Sequence, residues 1–263
     1  MATRLNVELL NQQTLAGIRD AYAKMMTLPD ERGYGYFAGI HGLPLPISCR
    51  HSPRNVVDYL FLPWHRAYLY FFELALQDQS PDVGVPWWDW TSTRSHTLGL
   101  PEAFAATGAA PNPLNRAPFN WPQELIQQVT QALPDTLDLT TTPPSTRRNP
   151  EAPDELPRRQ TVGAIMGSRT YAQFSTSMEN LHGAVHVWVG GTMGQVPTAA
   201  YDPIFWSHHA FIDYLWQLWQ TSPNGEPPPD NMMDVVLDPF PVRVRDMLDI
   251  GRLGYDYANA IVS

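Results

Sequence analysis

The sequence predicts a mainly α fold with long, irregular, Pro-rich connections, and three observations predict it. Apolar residues recur at helical spacing in several separate stretches. Proline is frequent, 26 of 263 residues, and clusters between those stretches. Six of the 8 histidines fall into two groups of three, each on its own pair of predicted helices. The length suits one large core, so 1–263 reads as a single domain without internal repeats.

Leu10 to Met26 carries Leu15, Ile18, Tyr22, Met25 and Met26 on one helical face, and Pro29 lies just past its end. Tyr34 to Ile40 reads as a short helix with His41 at its end, broken by Gly42, Pro44 and Pro46. Pro63 suits the first turn of a long helix running to about Gln79. On it His65, Leu69, Phe72 and Leu76 share one face, so the histidine points where the core side chains point. Val85 to Trp90 is a tight aromatic segment placed beneath the helices, and Trp121 to Leu133 holds another helix. Thr140 to Gln160, with five prolines, reads as a surface loop rather than a domain linker, because the two histidine groups must meet across it. Tyr171 to Met178 and His182 to Val189 read as helical. Asp202 caps a predicted helix from Pro203 to about Gln220. A Pro-rich tail precedes a short helix near Val244 to Ile250.

Composition excludes several function classes. The net charge is −9 without a basic stripe, which argues against nucleic acid as a partner. No apolar run approaches the ~20 residues of a membrane span. Met1-Ala2-Thr3-Arg4 leads into a polar segment without a signal-peptide core, and the single cysteine suits a reducing compartment, so a cytoplasmic location is expected.

The histidines carry the chemistry. His182 and His186 stand at i and i+4, which on a helix sets both imidazoles on one face, a spacing that grips one metal ion. Taken alone, such a pair is more often incidental than ligating. The grouping of His41, His51 and His65, and of His182, His186 and His209, changes the odds, while His96 stands apart as a surface or structural residue. Neutral imidazole suits copper, zinc, iron and nickel. A hydrolytic zinc site uses three protein ligands, a water and usually a nearby acid. Two histidine triplets without a bridging carboxylate favour two trigonal copper ions, with dioxygen as the natural co-substrate.

These motifs resemble the tyrosinase superfamily of type-3 copper proteins, which includes tyrosinases, catechol oxidases, aminophenol oxidases and molluscan haemocyanin domains. The matching text is His41-Gly42-Leu43-Pro44, Cys49-Arg50-His51, Leu60 to Leu69 around Pro63-Trp64-His65-Arg66, Leu181 to Gly191, and Asp202-Pro203-Ile204-Phe205-Trp206-Ser207-His208-His209. Tyr255-Asp256-Tyr257 resembles the tyrosine motif closing the family's core, with Arg4 as its stacking partner. The resemblance covers nearly the whole chain. It implies an antiparallel four-helix bundle around a dinuclear copper site, one copper on His41, His51 and His65 and the other on His182, His186 and His209. It places His208 behind the ligands or facing the substrate. The gap between His51 and His65 exceeds the family pattern by the stretch Arg54 to Asp58.

The same resemblance assigns further roles. Cys49 would form a thioether to the ring of His51; the bland reading is a small buried hydrophobe. Glu179 would hold a water that deprotonates an incoming phenol, against the reading of an ordinary helix-start acid. The family pairs that water with Asn directly after the first histidine of the second triplet. Here that position is Gly183, which argues for diphenol over monophenol oxidation, with Asn180 as a conceivable substitute. Phe205 resembles the aromatic packed over the histidines, and Val196 the gate beside the substrate. Asp213 and Asp89 are candidates to orient neighbours such as Arg66.

Two functions of different class follow. The first is an oxidase taking a small phenol and O2; some members of the family it resembles are loaded by a separate copper-delivery partner. The second is a dioxygen carrier of the haemocyanin type. Carriers and latent enzymes cover the metal pair with a further domain, and no such lid is expected here, since Ser263 follows Tyr257 closely. A zinc hydrolase ranks far below both.

Overall fold

The computed structural model describes residues 2–51, 59–106 and 111–258. The stretch Arg54 to Asp58 lies outside the described residues. The chain is mostly helical. α1 (Gln12–Thr27) opens where Asn11 accepts a hydrogen bond from the Thr14 N–H, satisfying one of the donors a helix start leaves bare. α2 (Tyr34–His41) ends on its histidine because Gly42 cannot continue the helix, its backbone lying against Pro197 where any Cβ would collide. α3 (Phe61–Gln79) carries Pro63 within its first turn, where the missing N–H costs nothing.

α4 (Thr93–Leu98), α5 (Gln123–Ala132) and α6 (Arg159–Met166) are shorter. The two helical stretches expected around Glu179 are one continuous helix, α7 (Tyr171–Val189), capped by Thr170 and stopped by Gly190 at φ 64°. α8 (Ile204–Gln220) begins beside Asp202, whose carboxylate accepts from the Ile204 N–H. The helix expected near Val244 to Ile250 is a 3-10 turn, Val244–Met247, followed by α9 (Ile250–Leu253).

Four short strands complete the order among the described residues. β1 (Ala2–Arg4) pairs in parallel with β4 (Tyr255–Tyr257), and β2 (Leu137–Asp138) pairs antiparallel with β3 (Ser145–Thr146). Pieces of two or three residues are too short for an alternating pattern to announce them.

α3 is the central helix and packs on α1, α7 and α8. Phe72 of α3 stacks on Trp206 of α8 with ring centroids 3.5 Å apart, and such aromatic pairs contribute about 0.5–1.5 kcal/mol beyond their buried area. The Tyr68 hydroxyl ties α3 to α2 by donating to the Phe37 carbonyl at 2.5 Å. Trp87, Trp88 and Trp90 are fully buried, and the Trp88 N–H donates to the Ser207 carbonyl, which fixes the aromatic segment against α8.

A buried ionic cluster closes the opposite side. Asp213 accepts from Arg66 Nε at 2.5 Å, from Arg4 Nη1 at 3.1 Å, and from the Tyr255 and Tyr257 hydroxyls at 2.8 and 2.6 Å. Arg4 also pairs with Glu73 and lies 3.7 Å over the Tyr255 ring. Burial raises the cost of the Asp213 charge, yet the two guanidiniums outweigh it and hold its carboxyl below the usual range.

The stretch Thr140 to Gln160 is not a plain surface loop. Ser145, Thr146 and Leu156 are buried. Arg148 reaches inward to Asp202 with Nε at 2.9 Å and Nη2 at 2.5 Å, so the segment helps to anchor the start of α8. Proline content marks an irregular backbone; it does not place that backbone in solvent. No helix among the described residues is long and apolar enough to cross a membrane.

Candidate metal centre

The helices converge on two adjacent clusters of donors. His41, Cys49, His51 and His65 each offer one ligand atom within 4.8 Å of the others, and so do His182, His186, His208 and His209. His41 comes from the end of α2, His65 from the start of α3, His182 and His186 from one face of α7, and His208 and His209 from α8. Cys49 and His51 lie on an irregular segment between α2 and α3. Glu179 and His182 have the Glu-x-x-His spacing of carboxylate-bridged bundles, but the sequence contains it once, and neither donor cluster includes a carboxylate.

The ring orientations are set by backbone carbonyls. Nδ1 of His41 donates to the Val196 carbonyl at 3.0 Å, and Nδ1 of His65 to Phe61 at 2.8 Å. Nδ1 of His182 donates to Glu179 at 3.0 Å, and Nδ1 of His186 to Met193 at 2.8 Å. A carbonyl has no proton to give, so the hydrogen sits on Nδ1 and each Nε2 keeps a free lone pair. Nε2 of His41 and of His182 is buried without a hydrogen-bond partner. Nε2 of His186 lies 3.2 Å from Nε2 of His209. Two nitrogens that each sit about 2 Å from one ion are spaced close to that.

Burial holds His41, His65, His182 and His209 well below the ordinary imidazole range and takes His186 down to about 4. The neighbouring imidazoles push His41, His65, His182 and His209 further in the same direction. Neutral and convergent, with Nε2 of His41 and of His182 orphaned, these nitrogens fit metal ions better than they fit each other.

A cavity of about 320 Å³ opens beside them, lined by His41, His51, His182 and His186 together with Glu179, Asn180, Gly183, Val187, Met193, Gly194 and Val196. Larger grooves, such as that beside Tyr36 and Trp121, lie away from the histidines. Val187 and Val196 are solvent-exposed at the rim. Glu179 touches both triplets: its carbonyl receives the His182 ring, and its carboxylate lies 3.5 Å from Nδ1 of His51.

Asn180, Gly183 and Val196 thus face the cavity, whereas Phe205 and His208 are fully buried and do not line it. The Phe205 ring packs 4.9 Å from His41 and 4.2 Å from His209, between the triplets. Cys49 has no disulfide, and its Sγ lies 3.6 Å from Nε2 of His65.

Asp213 does bond Arg66, but Asp89 binds Thr91 and Arg159 instead, so neither carboxylate orients a histidine. Carbonyls do that work, and a backbone atom leaves no trace in residue type. Phe61 was also missed; its ring touches His65 at 4.7 Å and His182 at 4.6 Å, one triplet to the other.

Fold and donors together define a mostly helical protein with two neighbouring histidine metal centres. A family model described as the common central domain of tyrosinase matches residues 31–222, and the chain belongs to the tyrosinase family of type-3 copper proteins. It is similar to a Streptomyces glaucescens tyrosinase, 35% identical over 184 residues, covering 61% of this chain and 62% of that protein. It is also similar to haemocyanin units G and H of Sepia officinalis, 29% identical over 228 residues, covering 82% of this chain and 37% of that protein. The chain therefore spans less than two thirds of the length of these relatives.

In fold it resembles a functional unit of octopus haemocyanin, with a TM-score of 0.78 and 24% identity over 98% of this chain and 68% of that one. A Burkholderia thailandensis tyrosinase gives a TM-score of 0.74 with 19% identity over 99% and 75%. The family binds two copper ions, and the two histidine clusters supply suitable donors.

Proposed function

We propose that the protein is a copper oxidase that converts o-diphenols, and o-aminophenols by the same route, to quinones and quinone imines at the expense of O2. Monophenols would be weaker substrates. In this reading α2, α3, α7 and α8 form an antiparallel bundle around one copper on His41, His51 and His65 and a second on His182, His186 and His209. The observation that carries it is the cavity: a carboxylate and four imidazoles share one wall with room for a small ring.

When bound, the copper pair supplies dioxygen binding and electron transfer. The chain's own residues supply the rest. Oε1 of Glu179 is placed to take the phenolic proton, directly or through a water. A Cβ at Gly183 would meet nothing within 4 Å, so the substrate ring has space beside His182. Val187, Val196 and Met193 give the ring an apolar seat, and the neutral histidines leave proton movement to the carboxylate. Cys49 is proposed to close a thioether to a ring carbon of His51, the S–H and one ring C–H being lost with O2 as the two-electron acceptor, which intact mass would reveal as the loss of two hydrogens.

The rival reading, a dioxygen carrier, is favoured by the haemocyanin similarity over a larger share of the chain. Oxygen consumption by copper-loaded protein decides between them. Steady uptake with a catechol and slow uptake with tyrosine is the expected result. Reversible oxygen binding without turnover of either phenol would replace the oxidase with the carrier.

A further inference from the structure

The second cluster contains a histidine too many. His182, His186, His208 and His209 all bring a ring nitrogen within 4.8 Å of one another, and three suffice for an open metal centre. We propose that Trp90 keeps His208 from becoming a fourth ligand, and that His208 serves instead as a positioning residue for His182. The proposal rests on the dimetal reading but not on the choice between oxidase and carrier.

The argument is one of tautomers. His208 is wholly buried, and Trp90 Nε1 lies 3.1 Å from its Nδ1. An indole N–H only donates, so Nδ1 must accept and the ring proton must reside on Nε2. That Nε2 is buried without a hydrogen-bond partner. Both nitrogens of His208 are therefore committed, one to the indole and the other to its proton, and neither offers a lone pair to a metal. His182 and His186 are held the opposite way, with the proton on Nδ1 and Nε2 free. His209, next along the chain, has no donor on its buried Nδ1. The adjacent pair is thus sorted into ligand and non-ligand by one indole N–H.

What His208 does instead follows from its contacts. Its ring is nearly parallel to His182, at 5.3 Å and 10°, and nearly perpendicular to His186, at 5.1 Å and 83°. It therefore fixes the planes of both ligands on α7 from behind. Without the Trp90 N–H, the proton can shift to Nδ1, Nε2 gains a lone pair, and four imidazoles can close around one ion. A closed centre binds metal more tightly and leaves no position for a reactant.

Three measurements test this. In metal-free wild-type protein, long-range proton–nitrogen correlation should show His208 as the Nε2–H tautomer. With cobalt(II) as the probe metal, Trp90→Phe should slow extraction by a chelator about tenfold at one of the two centres. His208→Phe, which keeps a flat ring and removes both nitrogens, should hold cobalt in wild-type stoichiometry, and Trp90→Phe combined with His208→Phe should restore the wild-type extraction rate. An Nδ1–H tautomer in the wild type overturns the proposal whatever the variants do. Loss of one cobalt from His208→Phe would make His208 a ligand and overturn it equally, as would wild-type extraction from a folded Trp90→Phe protein.

Discussion

The two histidine triplets offer the same kind of donor on different foundations. His182, His186 and His209 sit on two long helices, where the i, i+4 step and the α7–α8 neighbourhood dictate their spacing. His41, His51 and His65 come from a helix end, an irregular segment and a helix start. His51 shows the difference most plainly: its side chain is 28% exposed, while His182 and His209 are buried. A helix positions a ligand through its own hydrogen bonds. A loop must borrow that precision from neighbours, and here the neighbours are Cys49, Phe61 and Glu179.

The sharpest way to break the comparison is to delete one ligand from each side. His209→Ala should remove the second-centre copper and lower oxygen uptake by more than about 100-fold, since even partners of ligands are worth 10–100-fold. His51→Ala should retain more bound copper after dialysis, because the Cys49 sulfur already lies among the first-cluster donors. Equal copper loss in both variants would show that the helical and the loop-built centres are equally rigid.

A smaller effect tests where the two centres are coupled. The loop after α7 gives its Met193 carbonyl to His186 and its Val196 carbonyl to His41, one histidine from each triplet. Thr192 anchors that loop, accepting from the Arg147 N–H at 2.9 Å and donating to the Thr136 carbonyl at 2.5 Å. Gly191, at φ 54°, lets it pass close against the Arg147 carbonyl, where a Cβ would stand only 2.1 Å away. Thr192→Val should cost about 1–3 kcal/mol in urea unfolding and weaken copper at both centres about tenfold. Weakening at one centre alone would mean that the loop is not a shared brace.

The mildest perturbation acts on the buried histidines of both triplets in the same direction. His186 titrates at about 4 in the folded protein, against about 6.5 for a free imidazole, and burial moves His41, His65, His182 and His209 the same way. Between those values the unfolded chain binds protons that the folded chain refuses. Stability of the metal-free protein should therefore fall as pH drops from about 6.5 towards about 4 and be insensitive to these groups above that window. A urea midpoint at pH 5 equal to or above that at pH 7 would contradict buried neutral imidazoles.

Much of the site was legible because ligands are written in residue type and helices in period. His182 and His186 could be paired from their i, i+4 spacing, whereas the choice of His209 over His208 came from the family resemblance, and α1, α2, α3 and α8 appear within a few residues of where the sequence puts them. The misreadings share a cause. The two stretches expected on either side of Glu179 are one helix, and the Glu179 carbonyl and carboxylate both meet histidines. The loop around Arg148 was read as surface because proline and arginine are common there, yet Asp202 draws that arginine inside. Carbonyls of Phe61, Met193 and Val196 orient three ligands, and every residue has a carbonyl. What depends on which backbone atom meets which ring is fixed by tertiary approach.

The pairing of β1 with β4 has a consequence for the order in which the molecule is made. Arg4 precedes its partners in the chain, and its charge can be buried only when Glu73, Asp213 and Tyr255 have followed. Until then Arg4 and Arg66 would compete for solvent rather than share Asp213, and the seam between α3 and α8 has no clasp. Contacts this distant in sequence are slow to form. A chain cut short of Tyr255 would hold both histidine clusters and still lack the closure of its core, so the metal donors would stand on an unclasped scaffold.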